Sequence, residues 1–381
     1  MFLRCSCDVP VMSCNMNPVM SIFGIKTTTT TTTGIQVFLV KKTTGSDEGN
    51  LFAMKVLKKA SIVVHTKDTE HTRAERDIMG MISHPFIVNL SYAFQTEGKL
   101  YLIMQYASGG ELFTCLQKEG LLLEDTAKFY LAEMIVALEH LHSNGIIYRD
   151  LKPENILLDK SGHVLLTDFG LSKVALGEEG MKTRTFCGTI EFMAPEILSR
   201  QPYGNVVDWW SFGTVMYDML VGSPPFTGGN RKQLMDKIMV GKPKFPNYLT
   251  ADAQDLLKKL LKKTPETRLG VNGAEEIKRH PFFKKVNWAS VAAREIHPPI
   301  IPVVVGAEDV SNFDAKFTGM PVVDSPVEAI KASESYKDAF KGFSYVAPII
   351  YGLSPSRSPK LGLATSAGVM AGRSQVLSQR N

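Results

Sequence analysis

The octet Tyr148-Arg149-Asp150-Leu151-Lys152-Pro153-Glu154-Asn155, followed at Asp168 by Asp-Phe-Gly, constrains this chain more than any other feature. It sets a carboxylate in a loop, a lysine two residues on, an amide five residues on and a second carboxylate beyond a short hairpin. Moving a phosphoryl group onto a hydroxyl needs that set. Asp150 can accept the proton of the attacking hydroxyl, and Lys152 can neutralise the group in transit. Asn155 and Asp168 offer the hard oxygens that magnesium prefers. An ordinary polar loop would not match so many fixed positions. The chain has no Gly-x-x-x-x-Gly-Lys-Ser/Thr loop, so the other common phosphate cradle is excluded.

The texture on either side of the octet predicts two unlike halves. Gln36 to Lys41 and Asn50 to Leu57 are short β-favouring runs around a Thr-Gly-Ser-Asp-Glu-Gly turn, a hairpin with a longer loop. Lys67 to Met81 reads as a helix, and Phe86 to Tyr106 as two more strands around Glu97-Gly98. In Thr126 to His142, Leu131, Met134, Leu138 and Leu141 recur at helical spacing. Glu124 and Asp125 suit the positive end of that helix, and Gly145 follows its end. Val207 to Leu220, Leu234 to Met239 and Ala251 to Leu261 are further helical stretches. The expected fold is α+β, a sheet-rich first lobe and a helical second lobe. From Lys284 prolines accumulate, as in an extended tail that wraps a domain, and 353–381 has the composition of a disordered segment.

The octet, the Asp-Phe-Gly and Ala194-Pro195-Glu196 together resemble the protein kinase family over about Phe38 to Phe283. That resemblance implies magnesium-dependent transfer from ATP. Lys55 in Ala53-Met54-Lys55 is similar to the lysine that holds the α- and β-phosphates, and Glu75 to its ion-pair partner. Adenine would lie between Val37 and Ala53 above and Leu157 below, against the backbone of Gln105 to Ala107, with Met104 behind. Met79, Leu90, Tyr148 and Phe169 would stack as an internal spine. Glu196 would pair with Arg268, and Asp208 would anchor the catalytic loop from below. The tyrosine before Arg149 is the form common in the AGC group, and Lys152 marks serine/threonine rather than tyrosine acceptors, the non-specific serine/threonine protein kinase class. Glu111, Glu154 and Asp218 match positions that pair with arginines N-terminal to the target hydroxyl. Carboxylates suit the bidentate guanidinium fork, so the implied substrates are basic.

Within the AGC group the wording around Thr185, Asp208-Trp209-Trp210 and Gly342 to Pro348 is most similar to the ribosomal protein S6 kinases. The resemblance implies three phosphosites. Thr185 would be the activation-loop site, with Arg149 as the phosphate's partner. Without phosphate that arginine would be poorly satisfied and the loop mobile. Thr183 is the bland neighbour, and Thr189 a structural contact with the catalytic loop. Ser325 in Pro321-Val-Val-Asp-Ser-Pro326 would be a turn-motif site. Ser344 would be the acceptor of a hydrophobic motif whose Phe340 and Phe343 dock beside the Glu75 helix and bring Glu75 to Lys55. Implied partners are upstream kinases acting on Thr185 and Ser344, and protein substrates like ribosomal protein S6.

The resemblance breaks at the start. Kinases cover the nucleotide phosphates with a Gly-x-Gly-x-x-Gly loop; here Gly34 and Ile35 stand where it would end, behind seven threonines, Thr27 to Thr33. A β-branched residue at a glycine position blocks close backbone approach. No first strand is recognisable, and the acidic N-terminal segment typical of ribosomal protein S6 kinases is missing. Misplaced phosphates would slow turnover about 10²-fold, about 2.7 kcal/mol. Three readings follow: an active kinase, a pseudokinase or scaffold with impaired ATP binding, or an ordinary kinase with a truncated or mispredicted N-terminus. Intact Lys55, Glu75, Asp150, Asn155 and Asp168 argue against the second.

The expected division is therefore 1–33, a low-complexity N-terminus; 34–283, the kinase domain; 284–352, an AGC-type C-terminal domain; and 353–381, a basic tail. Net charge is +5, of which 353–381 carries +4 and 1–33 carries +1. The folded region is neutral, so direct nucleic-acid binding is not expected. Five irregularly spaced cysteines read as free thiols of a reducing compartment. No apolar run approaches the roughly 18 residues of a membrane span. The expected location is the cytoplasm, with the nucleus as a second.

Overall fold

The structure is a computed structural model that describes residues 20–27, 35–45, 47–175, 183–320 and 339–348. Ser325 and the segment 353–381 lie outside the described residues. In the first lobe, β1 (Met20–Thr27), β2 (Ile35–Lys42), β3 (Leu51–Lys58), β4 (Leu90–Gln95) and β5 (Lys99–Gln105) are joined by β11 (Tyr345–Val346) from the far end of the chain. The sheet is antiparallel throughout, in the order β1-β2-β3-β5-β4-β11.

The sequence shows no first strand, yet β1 is there, with Met20 opposite Lys42 and Thr27 opposite Val37. The reason is backbone pairing: β2 presents a row of N–H and C=O groups, and any extended segment that reaches it can complete the ladder. The threonine tract therefore begins at the end of β1, and 28–34 joins β1 to β2.

Two-residue alternation splits the sheet into two faces. Phe38, Val40, Phe52, Met54, Val56, Tyr101 and Ile103 form an apolar cluster on one. On the other, Val37 pairs across from Lys55, Leu39 from Ala53, and Ala53 from Met104. That second face carries the candidate nucleotide contacts and looks toward α1 (Lys59–Val63), α2 (Thr66–Met81) and the second lobe.

The second lobe is built on α4 (Glu124–Ser143) and α6 (Val206–Val221). In α4 the leucine and methionine stripe is wholly buried, and Asn144 and Gly145 end the helix, the latter with φ of +70°. Helices α3 (Leu112–Glu119), α5 (Pro195–Leu198), α7 (Arg231–Val240) and α8 (Ala251–Leu260) complete what the site needs. Short strands β6 (Gly110–Glu111), β7 (Ile146–Ile147), β8 (Ile156–Leu158), β9 (Val164–Leu166) and β10 (Lys173–Val174) edge the catalytic loop. The lobes are stitched where Ile87 bridges Leu166, Val88 N–H donates to Leu166 O, and Leu166 N–H donates to Phe86 O. Among the described residues no helix is long and apolar enough to cross a membrane.

Candidate active site

The loop between β7 and β8 is held by one buried carboxylate. Asp208, in the first turn of α6, accepts the backbone N–H of Tyr148 at 3.0 Å and of Arg149 at 2.8 Å, and meets His142 at 2.7 Å. Those bonds hold Arg149 in the left-handed region, φ +69°. A non-glycine residue there costs of order 1 kcal/mol or more, so it persists only when its surroundings fix it. Asp168 shares that conformation at φ +60°.

Asp150, Lys152 and Asn155 then converge. Lys152 Nζ lies 2.9 Å from Asp150 Oδ2 and donates to Thr189 Oγ1 at 3.0 Å. Asn155 Nδ2 donates to Asp150 O and Oδ2, both at 2.9 Å. Burial raises the Asp150 carboxyl above its ordinary value, against the pull of Lys152. Across the lobes, Lys55 Nζ sits 2.6 Å from Glu75 Oε1 and 3.1 Å from Asp168 Oδ1. Burial opposes the Lys55 charge, but Asp168 and Glu75 more than offset it and hold the amine above its usual range. Lys55 in turn draws the Asp168 carboxyl down, while burial pushes Glu75 up.

These residues can be tested for their fit to a nucleotide and a hard cation. Among the described residues nothing hydrogen-bonds to Asn155 Oδ1 or Asp168 Oδ2, although the other atoms of both side chains are engaged. One amide oxygen and one carboxylate oxygen are thus left for a cation of the magnesium type, which completes its shell with water and phosphate oxygens. Val37, Ala53 and Leu157 are only half-buried, as walls of a slot open to a ligand would be, whereas Met104 and Ala107 are buried and Gln105 lies at the end of β5. The residues fit.

The chain matches the protein kinase domain over residues 36–283 and the protein kinase C terminal domain over residues 304–345. The chain belongs to the protein kinase family. It is 58% identical over 317 residues to a ribosomal protein S6 kinase beta of Caenorhabditis elegans, covering 83% of this chain and 57% of the relative. It is 52% identical over 314 residues to a ribosomal protein S6 kinase alpha-2 of Mus musculus, covering 82% and 42%. A ribosomal protein S6 kinase alpha-6 of Homo sapiens is 51% identical over 335 residues, covering 88% and 44%. The chain spans about half the length of these curated relatives.

In this chain the internal spine is packed: Met79, Leu90, Tyr148 and Phe169 are buried in one cluster, and the Tyr148 and Phe169 rings meet edge-on at 5.3 Å. Tyr148 Oη donates to Thr167 O. Arg268, fully buried, grips Glu196 with two nitrogens at 2.6 and 2.9 Å.

At the activation segment the structure corrects one expectation. Arg149 is not left poorly satisfied. Its Nε donates to Leu171 O at 2.5 Å, with longer contacts of 3.4 Å to Ser172 O and the Tyr203 hydroxyl. The left-handed turn at Asp168 brings those carbonyls within reach of the guanidinium. Thr183 is buried and bonds Tyr203 through its backbone, while Thr185 is half-buried with its hydroxyl 3.3 Å from that of Thr183. Two basic side chains nearby carry no motif of their own. Lys173 donates to Thr183 Oγ1 at 3.2 Å, and His71 of α2 is disfavoured as a cation by its burial and by Arg149.

Glu111, Glu154 and Asp218 come from β6, the catalytic loop and α6, and each pair that includes Glu154 interacts. Burial and Glu154 push the Asp218 carboxyl up to about 6. Burial, Glu154 and Asp314 raise Glu111. Glu154 Oε2 is buried with no hydrogen-bond partner. An uncompensated acceptor of that kind is costly in the free protein and becomes satisfied when a cationic donor arrives.

The tail is docked. Phe340 and Phe343 are buried, their rings edge-on at 6.0 Å, and Gln95 donates to Phe340 O at 2.8 Å. Arg73 donates to Lys341 O, and Arg76 to the carbonyls of Gly342, Phe343 and Ser344, all at 2.9 to 3.0 Å. Ser344 itself is exposed. The two arginines stand three residues apart on one face of α2, the signal that could have found them.

Proposed function

We propose that this chain is an ATP- and magnesium-dependent serine/threonine protein kinase of the ribosomal protein S6 kinase type, acting on sites with upstream arginines. The observation that carries the reading is the closed Glu75–Lys55–Asp168 bridge facing the Asp150–Lys152–Asn155 cluster. Lys55 would hold the α- and β-phosphates. Asp150 would take the proton of the substrate hydroxyl as its oxygen bonds the γ-phosphorus and ADP leaves, and Lys152 would steady the charge passing between them. Magnesium, held by Asn155 and Asp168, would neutralise the phosphate oxygens.

Glu111, Glu154 and Asp218 would receive the arginines, with Asp314 of the tail adding to the field at Glu111. Glu154's unsatisfied oxygen supports this assignment. Thr185, Ser325 and Ser344 would be sites for upstream kinases. Phosphate on Thr185 would meet Arg149, Lys173 and His71.

The test is transfer from magnesium-ATP to a peptide with arginines upstream of serine, by the full chain, beside the same peptide without arginines. Transfer favouring the arginine peptide supports the reading. Equal transfer to both removes the arginine assignment, and no ATP binding at all turns the reading to a scaffold.

A further inference from the structure

Helix α2 carries a glycine where a helix does not want one. Gly80 lies in its last turn, and a glycine inside a helix costs about 0.5–1 kcal/mol relative to alanine. The space that a side chain would fill is taken from outside. A Cβ built on Gly80 would stand 3.3 Å from Cε2 of Tyr345 and 3.6 Å from two more atoms of that ring. The Tyr345 hydroxyl donates to Gly80 O at 3.3 Å, at the helix end where carbonyls lack intrahelical partners. Arg76, one turn earlier, lies with its guanidinium 5.7 Å from the ring centroid. Tyr345 also pairs with Ala93 of β4, so one residue touches both the helix and the sheet.

We propose that Gly80 is a notch for the Tyr345 ring, and that Tyr345 is a positioning residue that fixes the far end of α2 and so the reach of Glu75 to Lys55. Phe340 and Phe343 anchor the tail in the first lobe. The atoms nearest the bare face of Gly80, five residues beyond Glu75, belong to neither of them. They belong to Tyr345, whose ring packs on helix backbone that carries no side chain at that position and so can fix the C-terminal turn of α2. The inference rests on the kinase reading for its activity arm alone.

The test uses the full chain and three variants. Gly80→Leu fills the notch with a residue that helices favour. Tyr345→Ala removes the ring without touching the helix. Tyr345→Phe keeps the ring and loses only the hydroxyl. Hydrogen exchange at the Ala347 amide, which bonds Ser91 O at 2.9 Å, reports tail seating without any assay of activity. Gly80→Leu and Tyr345→Ala are each expected to speed that exchange and to lower kcat about five-fold, with KM for the peptide unchanged. Combined, they lose no more than either alone, since both empty the same contact. Tyr345→Phe restores most of kcat and of the protection. Unchanged exchange in both Gly80→Leu and Tyr345→Ala overturns the notch, as does additive loss in the double variant. A parent chain that transfers no phosphate while the exchange pattern holds defeats the kinase reading and leaves the notch standing. If Gly80→Leu melts early, Tyr345→Ala against Tyr345→Phe decides alone.

Discussion

The loop that carries Asp150 and the β1–β2 hairpin are built on opposite principles. The loop is over-determined: Asp208 holds two of its N–H groups, Asn155 and Lys152 tie down Asp150, and Thr189 reaches in from the activation segment. The hairpin is held through the backbone ladder of β1 on β2, and its connection, 28–34, is six threonines and a glycine. A loop whose side chains do chemistry must be written in specific residues. A strand that only completes a sheet can be written in almost any residues that tolerate extension.

Four experiments break or sharpen that contrast. The largest effect belongs to Asp150→Asn, which keeps the shape of the loop and removes its base: kcat falls about 10³-fold, about 4 kcal/mol, with ATP affinity within two-fold of the parent. A smaller loss in single-turnover transfer would show that the loop contributes positioning alone.

Asp208→Ala comes next. It strands two backbone donors and a histidine in the interior, so the fold loses about 3 kcal/mol in urea unfolding, and the positive-φ residue Arg149 relaxes. Stability held at the parent value would mean that the loop is fixed elsewhere.

Replacing 28–34 by a glycine-containing loop tests the other side of the comparison. If threonines keep the backbone from the phosphates, the exchange raises turnover about 10²-fold, about 2.7 kcal/mol, at saturating peptide. No gain would show that the threonine connection already serves.

The smallest effect is a pH profile. Asp218, pushed up to about 6 by burial and Glu154, is charged above that pH and neutral below it. KM for an arginine peptide should therefore rise up to about four-fold, about 0.8 kcal/mol, as pH falls from 7.5 to 5.5. KM for a peptide without arginines should stay flat. Asp218→Asn should abolish the difference, and a slope that survives it would move the titration to another group.

The same contrast explains what could be read from the amino acids alone. The octet and Asp168 are legible because chemistry fixes their spacing, and Lys55 through the family resemblance that they carry. Most of α4 is legible because its burial repeats every three to four residues. β1 is not, since its signal is a long-range pairing with β2 rather than a local pattern. Lys173 and His71 were equally silent: each is an ordinary polar side chain until the fold brings a hydroxyl or a guanidinium to it. Arg149 misled because its alternative partners, the carbonyls of Leu171 and Ser172, become available only through the backbone turn at Asp168.

The sixth strand has one more consequence. β11 covers part of the outer edge of β4, and an uncovered edge invites pairing with another chain. Two residues are enough to blunt it. A chain whose tail has been cut before Tyr345 would thus face two hazards at once, a loosened helix and a bare template for self-association. Light scattering on such a truncated chain would register the second before any assay registered the first.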